Sequence, residues 1–296
     1  MPHDVSRASL PRRQLGRFIR RQREENTTLP QSQVAAAMQW SHSRYSRLER
    51  GEPGKVLDRD LVELGSILDI EDDQVAVMIE LARQVAEKTW YNSYNDLIRS
   101  NFDVYMRLET EAHSMQIFRP DVVPGLFQTS DYSRTLDRIF FPTESAEEQD
   151  RRAELKLRRQ RNITRKRNPL TADLVLHESV LHTRVGNDAI MSAQLRRLAD
   201  LSTQPNLTVQ ILPFKAGFPT GTPVGPFFVL DFEPGMNTTT SSSLVYTETY
   251  TGAIYLEEEA DLSLFRKAMA EIQCAALDHT ASRNLIRQVA RKDPHQ

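Results

Sequence analysis

The sequence contains one cysteine, Cys274, in 296 residues. A lone thiol cannot close an internal disulfide, which excludes the disulfide-framed secreted classes and makes a reducing cytoplasm the expected compartment. No apolar run approaches the ~20 residues a membrane span requires, and the first residues are polar, so neither a membrane span nor a signal peptide is expected. Overall charge is nearly absent, with 38 basic residues against 40 acidic ones. No phosphate-cradling loop is present: Gly217 and Gly221 belong to a proline-containing stretch without the Lys-Ser/Thr ending. His177 and His182 are five apart, whereas a zinc-protease motif needs four to bring both rings to one helical face. Cys274 falls in an apolar helical pattern and reads as a small core residue. Glu257 to Glu259 read as the solvated first turn of a helix. No catalytic residue, metal site or cofactor is expected, and no ligand-binding residue is assigned.

What is present is unevenly distributed. Residues 1–60 hold twelve Arg and Lys against seven Asp and Glu, a surplus of five, which leaves −7 on the remainder for a total of −2. A small basic module joined to a larger acidic one suits a nucleic-acid-binding domain attached to a regulatory domain. The length accommodates two domains at ~100–200 residues each. We expect domains at 1–92 and 100–292, with the boundary in the polar, turn-rich stretch Trp90 to Asn101.

The most informative stretch is Gln31 to Gly51, QSQVAAAMQWSHSRYSRLERG. Val34, Ala35 and Met38 form the buried stripe of a first short helix. Ser41 is a good N-cap for a second, with Tyr45 and Leu48 inward and His42, Ser43, Ser46 and Arg47 outward. Gly51 is placed for a left-handed C-cap. Gln31, Ala35, Ser41 and Ser46-Arg47-Leu48-Glu49-Arg50-Gly51 resemble the helix-turn-helix of the lambda-repressor/Cro-like (XRE) regulators. The sequence departs from that pattern at Pro30, which a helix start tolerates, and at Gln39, where glycine is usual and a turn conformation is required. A helix at Pro11 to Glu25 precedes the motif, with Leu15, Phe18 and Ile19 on one face. Two more follow, from about Arg59 and from Glu71 to Tyr91, which makes five helices.

Beyond residue 100 the pattern alternates. Helices are expected around Val104 to Ala112, from a Ser130 or Asp131 cap through Phe140, from a Thr143 cap to Thr164, and at Asp188–Thr203, Ala260–Leu277 and His279–Arg291. Strands are expected at Asp173–Glu178, Leu207–Phe214, Phe227–Phe232, Leu244–Thr249 and Ile254–Leu256. Loops take Phe214–Gly225 and Pro234–Ser243. Phe214, Phe218, Phe227, Phe228, Tyr246, Tyr250 and Tyr255 read as core. The fold class is therefore an all-α helix-turn-helix domain followed by a mixed α/β (α+β) domain.

Leu108-Glu109, Val123-Pro124-Gly125-Leu126-Phe127-Gln128-Thr129, Arg159-Gln160, His177-Glu178, Gln194-Leu195 and Val209 to Phe214 resemble the second domain of actinobacterial, antitoxin-like regulators of the WhiJ kind. That resemblance implies a cytoplasmic transcription regulator without catalytic residues, whose second domain binds a small acidic protein encoded nearby or an effector. The reading is a sequence-specific regulator of double-stranded DNA acting as a homodimer. His42, Ser43, Ser46 and Arg47 would face base edges, and Gln31, Arg44, Arg12, Arg13 and Arg17 phosphates. The rival reading is a small-molecule-sensing or protein-binding module with DNA contact secondary.

Overall fold

The computed structural model describes residues 10–52, 54–86, 94, 97, 102–233, 243–250 and 252–291. The chain divides into two compact units, Met1–Leu108 and Glu109–Gln296. The expected boundary stretch, Trp90 to Asn101, lies outside the described residues apart from Tyr94 and Leu97, both buried.

The first unit contains helices α1 Leu10–Asn26, α2 Gln31–Ala37, α3 His42–Glu49, α4 Asp58–Ile67 and α5 Asp72–Ala86. Each turns one apolar stripe inward: Leu15 and Ile19 from α1, Val34 and Ala35 from α2, Tyr45 and Leu48 from α3, Leu61 and Leu64 from α4, Val75 and Met78 from α5. α1 packs on α3 and α5, α2 on α3, and α4 on α5. Helix α6, Phe102–Glu111, spans the division between the units.

The second unit continues with β1 Ser114–Arg119, α7 Ser130–Phe140, α8 Ala146–Thr164, β2 Thr171–His177, α9 Ser179–His182, α10 Asp188–Leu201 and β3 Leu207–Leu212. It ends with β4 Phe227–Asp231, β5 Ser243–Thr249, β6 Gly252–Leu256, α11 Glu259–Ala275 and α12 His279–Arg291. The strands form one mixed sheet in the order β3-β2-β1-β4-β5-β6. β1, β2 and β3 run parallel, while the β1–β4, β4–β5 and β5–β6 pairs are antiparallel. This is the α+β class that the pattern predicts. Phe118, Val175, Phe227, Val229 and Val245 of the sheet share a buried core with Leu262, Met269 and Ile272 of α11.

The motif residues of this unit hold it together. Arg159 meets the fully buried Glu109 through two hydrogen bonds, 2.9 and 2.7 Å. The Gln160 amide donates to the carbonyls of Gly125 and Gln128 at 3.1 and 2.7 Å. Gln194 donates to the Phe127 carbonyl and accepts from the Thr129 N–H, at 2.8 and 2.7 Å. Backbone groups that the Val123–Thr129 turn would otherwise bury unpaired are thus satisfied.

Several expectations are corrected. β1 has no counterpart among the expected strands, although it lies inside the sheet between β2 and β4. Thr129 rather than Ser130 or Asp131 caps α7, its hydroxyl accepting from Tyr132 N–H at 3.4 Å. Ser145 rather than Thr143 caps α8, in a reciprocal box with Glu148. Cys274 is exposed, because it faces away from the Met269–Ile272 line that α11 buries. Phe227, Phe228, Tyr246 and Tyr255 are core, but Phe214, Phe218 and Tyr250 are exposed. Phe214 lies in the 3-10 turn after β3, Phe218 in the loop beyond it and Tyr250 in the turn between β5 and β6. Of the loop expected at Pro234–Ser243, Ser243 opens β5 and the rest lies outside the described residues. His177 and His182 end at β2 and α9 with both rings against Phe214, at centroid distances of 5.2 and 6.1 Å. Among the described residues no three His, Cys, Asp or Glu groups gather as a metal site.

Candidate nucleic-acid interface

Helix α3 has eight residues, too few to be stable alone in water, so its placement depends on what grips its ends. At the start, Ser41 Oγ accepts from the Arg44 N–H at 3.2 Å. The turn before it needs one residue in the left-handed region, and Gln39 takes it at φ 54°. At the end, Gly51 adopts φ 68°, and its N–H donates to the Leu48 carbonyl at 2.9 Å.

The strongest grip is a polar clasp. The Glu49 side chain is only 1% exposed and faces Arg23 of α1. Arg23 Nε and Nη2 donate to its two carboxylate oxygens at 2.6 and 3.1 Å. Gln31, the first residue of α2, adds an amide N–H to Glu49 at 2.6 Å. One carboxylate therefore joins α1, α2 and α3. The hydrogen bonds to Glu49 hold the Arg23 guanidinium above its ordinary pKa, against the opposing effect of burial. The Tyr45 phenol beside the clasp is pushed well up, first by burial and then by the Glu49 charge. Sequence reasoning did not find Arg23, which lies 26 positions from its partner.

Backbone contact completes the seat. A Cβ at Gly16 of α1 would lie 2.5 Å from the Leu48 carbonyl oxygen, 2.7 Å from that of Glu49 and 2.7 Å from the Gly51 nitrogen. All three neighbours are main chain and none can rotate away. Gly16→Ala is expected to force α1 off α3 and destabilise the unit by ~1–3 kcal/mol or more, with loss of DNA binding. Denaturant unfolding checks this, and an unchanged midpoint would refute the seat.

The grip leaves one side of α3 in solvent. His42, Ser43, Arg44 and Arg47 are exposed. Ser46 is half-buried, and its hydroxyl accepts from Arg50 Nη1 at 2.9 Å. Arg50, unassigned from the sequence, shares this side because it follows Arg47 by three and Ser46 by four. It also pairs with Glu52 at 2.6 Å. Arg44 lies with its guanidinium 3.7 Å from the Trp40 ring centroid and 3.4 Å from Asp60, yet stays exposed. Arg12 and Arg17 on α1 are half-buried. The Arg12 guanidinium has a lowered pKa, through burial and then the charge of Arg107. It lines a 260 Å³ cavity with Leu48, Gly51 and Lys55. The side chain of Arg13 lies outside the described residues.

A short helix gripped at both ends, with its hydrogen-bonding side in solvent, defines a helix-turn-helix module, the class used by DNA-binding transcription regulators. Residues 14–78 match the family model described as "Helix-turn-helix domain". Residues 102–288, most of the chain, match the model described as "Domain of unknown function (DUF5753)", and the chain belongs to that family. Neither the curated proteins nor the solved structures yield a match. Among the described residues no helix is long and apolar enough to cross a membrane.

Proposed function

We propose that the chain is a sequence-specific regulator of the lambda-repressor/Cro-like type that reads double-stranded DNA as a homodimer. In this reading its antitoxin-like second domain, residues 100–292, binds a small protein or an effector that alters operator affinity. The observation that carries the reading is the solvent-facing side of the clasped helix α3. In the major groove, Arg47 offers a planar fork suited to the two acceptors of guanine, with His42, Ser43 and Ser46 beside it. Arg44, Arg13, Arg17 and Arg12 set the register on phosphates. Arg12 has cationic neighbours in Arg107 and Lys55, and an incoming phosphate would relieve that repulsion. Gln31 gives a side-chain N–H to Glu49, so its phosphate contact is assigned to its backbone N–H at the start of α2.

The test is binding of the full chain to genomic fragments at stepped salt concentrations. A small set of sequences should be retained at salt that releases bulk DNA, with log K falling linearly in log salt. The partner recovered by affinity capture on the full chain, added back, should shift operator affinity, and operator DNA should shift partner affinity by the same factor. Equal affinity for all fragments would overturn the reading.

A further inference from the structure

Residues beyond 60 carry a net −7, yet from Lys156 to Ala172 the chain holds seven cations and no acid. Within α8 such charges are answered. Arg152 pairs with Glu144, Lys156 with Asp137, Arg158 with Glu154 and Arg159 with Glu109. From Arg161 onward the ion pairs stop. Arg161, Arg165, Lys166 and Arg167 are all exposed. The side chains of Arg161, Lys166 and Arg167 make no hydrogen bond or ion pair with another described residue.

The turn that carries these cations is held in shape. The Arg165 N–H donates to the Arg161 carbonyl at 2.8 Å and closes α8, and Asn168 takes φ 45° as the chain turns towards β2. Arg165 Nε donates to the Asn168 carbonyl at 2.7 Å. The Leu170 N–H donates to the Asn162 carbonyl at 2.8 Å. The Asn206 amide spans the base of the turn, donating to the carbonyls of Ile163 and Leu170 at 3.1 and 2.8 Å. A backbone tied in this way needs little ordering when it binds. Cations in the last turn of a helix offset its dipole, which accounts for Arg161. That effect fades within the turn, and Lys166 and Arg167 lie past the Arg165 cap.

We propose that this turn rests on the phosphate backbone of double-stranded DNA through Arg161, Lys166 and Arg167, a sequence-independent contact made by the second unit. The inference rests on the DNA-binding reading above and gives the acidic unit a share in it. Charge complementarity selects the occupant. A phosphate backbone is met by cations and polar groups alone, and residues 164–168, TRKRN, offer those without an apolar side chain. A protein partner would call for an apolar or aromatic centre. Leu157, the nearest large exposed apolar side chain along the chain, lies two helical turns before Arg165. Single-stranded nucleic acid would call for aromatic platforms, and the stretch has none.

The test is salt-stepped binding of the full chain carrying Arg161→Gln, Lys166→Gln and Arg167→Gln together, against the operator fragments it selects and against bulk DNA. Arg165 is kept because it closes the turn. Affinity for both kinds of DNA should fall by the same factor, at least tenfold at the lowest salt. The salt slope should shrink by ~0.9 for each phosphate released, up to ~2.7. The ratio of operator to bulk affinity should not move. An unchanged denaturant midpoint establishes that the variant folds. In a Cys274→Ser background, Lys166→Cys labelled at sulfur with an aryl azide should photocrosslink to DNA. Phe218→Cys, beyond the far ends of the parallel strands, should not. An unchanged slope in the triple variant, while the wild type still selects operator fragments, would overturn the contact and leave the DNA reading intact. A wild type that binds no DNA would overturn both. An acidic protein captured by the wild type and lost from the variant, with the salt slope unmoved, would also overturn the contact.

Discussion

Replacing Arg23 with alanine is expected to destabilise the helix-turn-helix unit by ~3–5 kcal/mol, the usual cost of leaving one member of a buried ion pair unpaired. The carboxylate left behind, Glu49, is almost wholly enclosed and would keep the Gln31 amide as a donor but lose both guanidinium bonds. With total domain stabilities of ~5–15 kcal/mol, much of the unit should unfold on mild heating and DNA binding should fall with it. Arg23→Lys retains the charge but not the two-pronged geometry and should fall between the wild type and alanine. Pairing Arg23→Met with Glu49→Leu removes both charges and should recover much of the loss. Denaturant titration of the four proteins makes the comparison, and a loss below ~1 kcal/mol for Arg23→Ala would show that the clasp does not seat α3.

Arg47→Ala should behave in the opposite way. Arg47 is exposed, and no hydrogen bond or ion pair joins its side chain to another described residue, so stability should not change. Specific affinity should drop by ~1–3 kcal/mol, a factor of roughly 5–150, if its fork grips a guanine. Bulk DNA should bind much as before. Arg17→Ala should weaken binding to every sequence alike and reduce the salt slope by ~0.9 for the one phosphate lost. Competition binding against specific and bulk DNA separates the two, and unchanged operator affinity in Arg47→Ala would move the reading face elsewhere.

The part of the fold that was legible rests on local chemistry. Ser41 and Gly51 frame α3 because an N-cap oxygen and a left-handed residue act within a few positions. The strain assigned to Gln39 appears as its φ of 54° for the same reason. His279–Arg291 was placed to the residue, since Asp278 lies before it and its carboxylate accepts from Ala281 N–H. What escaped depended on distance. β1 mixes Ser, Gln and Arg with Met, Ile and Phe, and only its two neighbours, β2 and β4, make it a strand. The Arg23–Glu49 clasp has no periodicity to betray it. At α7 and α8 neighbouring hydroxyl and carboxylate residues competed for the cap, which Thr129 and Ser145 took, Ser145 in a local box with Glu148.

The place of β1 in the sheet also sets an order on assembly. Its neighbours begin at Thr171 and Phe227, so as the chain leaves the ribosome β1 waits while roughly a hundred further residues are made before both sides are covered. The five helices of the first unit close over contacts within residues 10–86, and short-range contacts form much faster than distant strand pairings. The DNA-reading end is complete while the sheet still has open edges, which places the aggregation-prone interval of synthesis in the second unit.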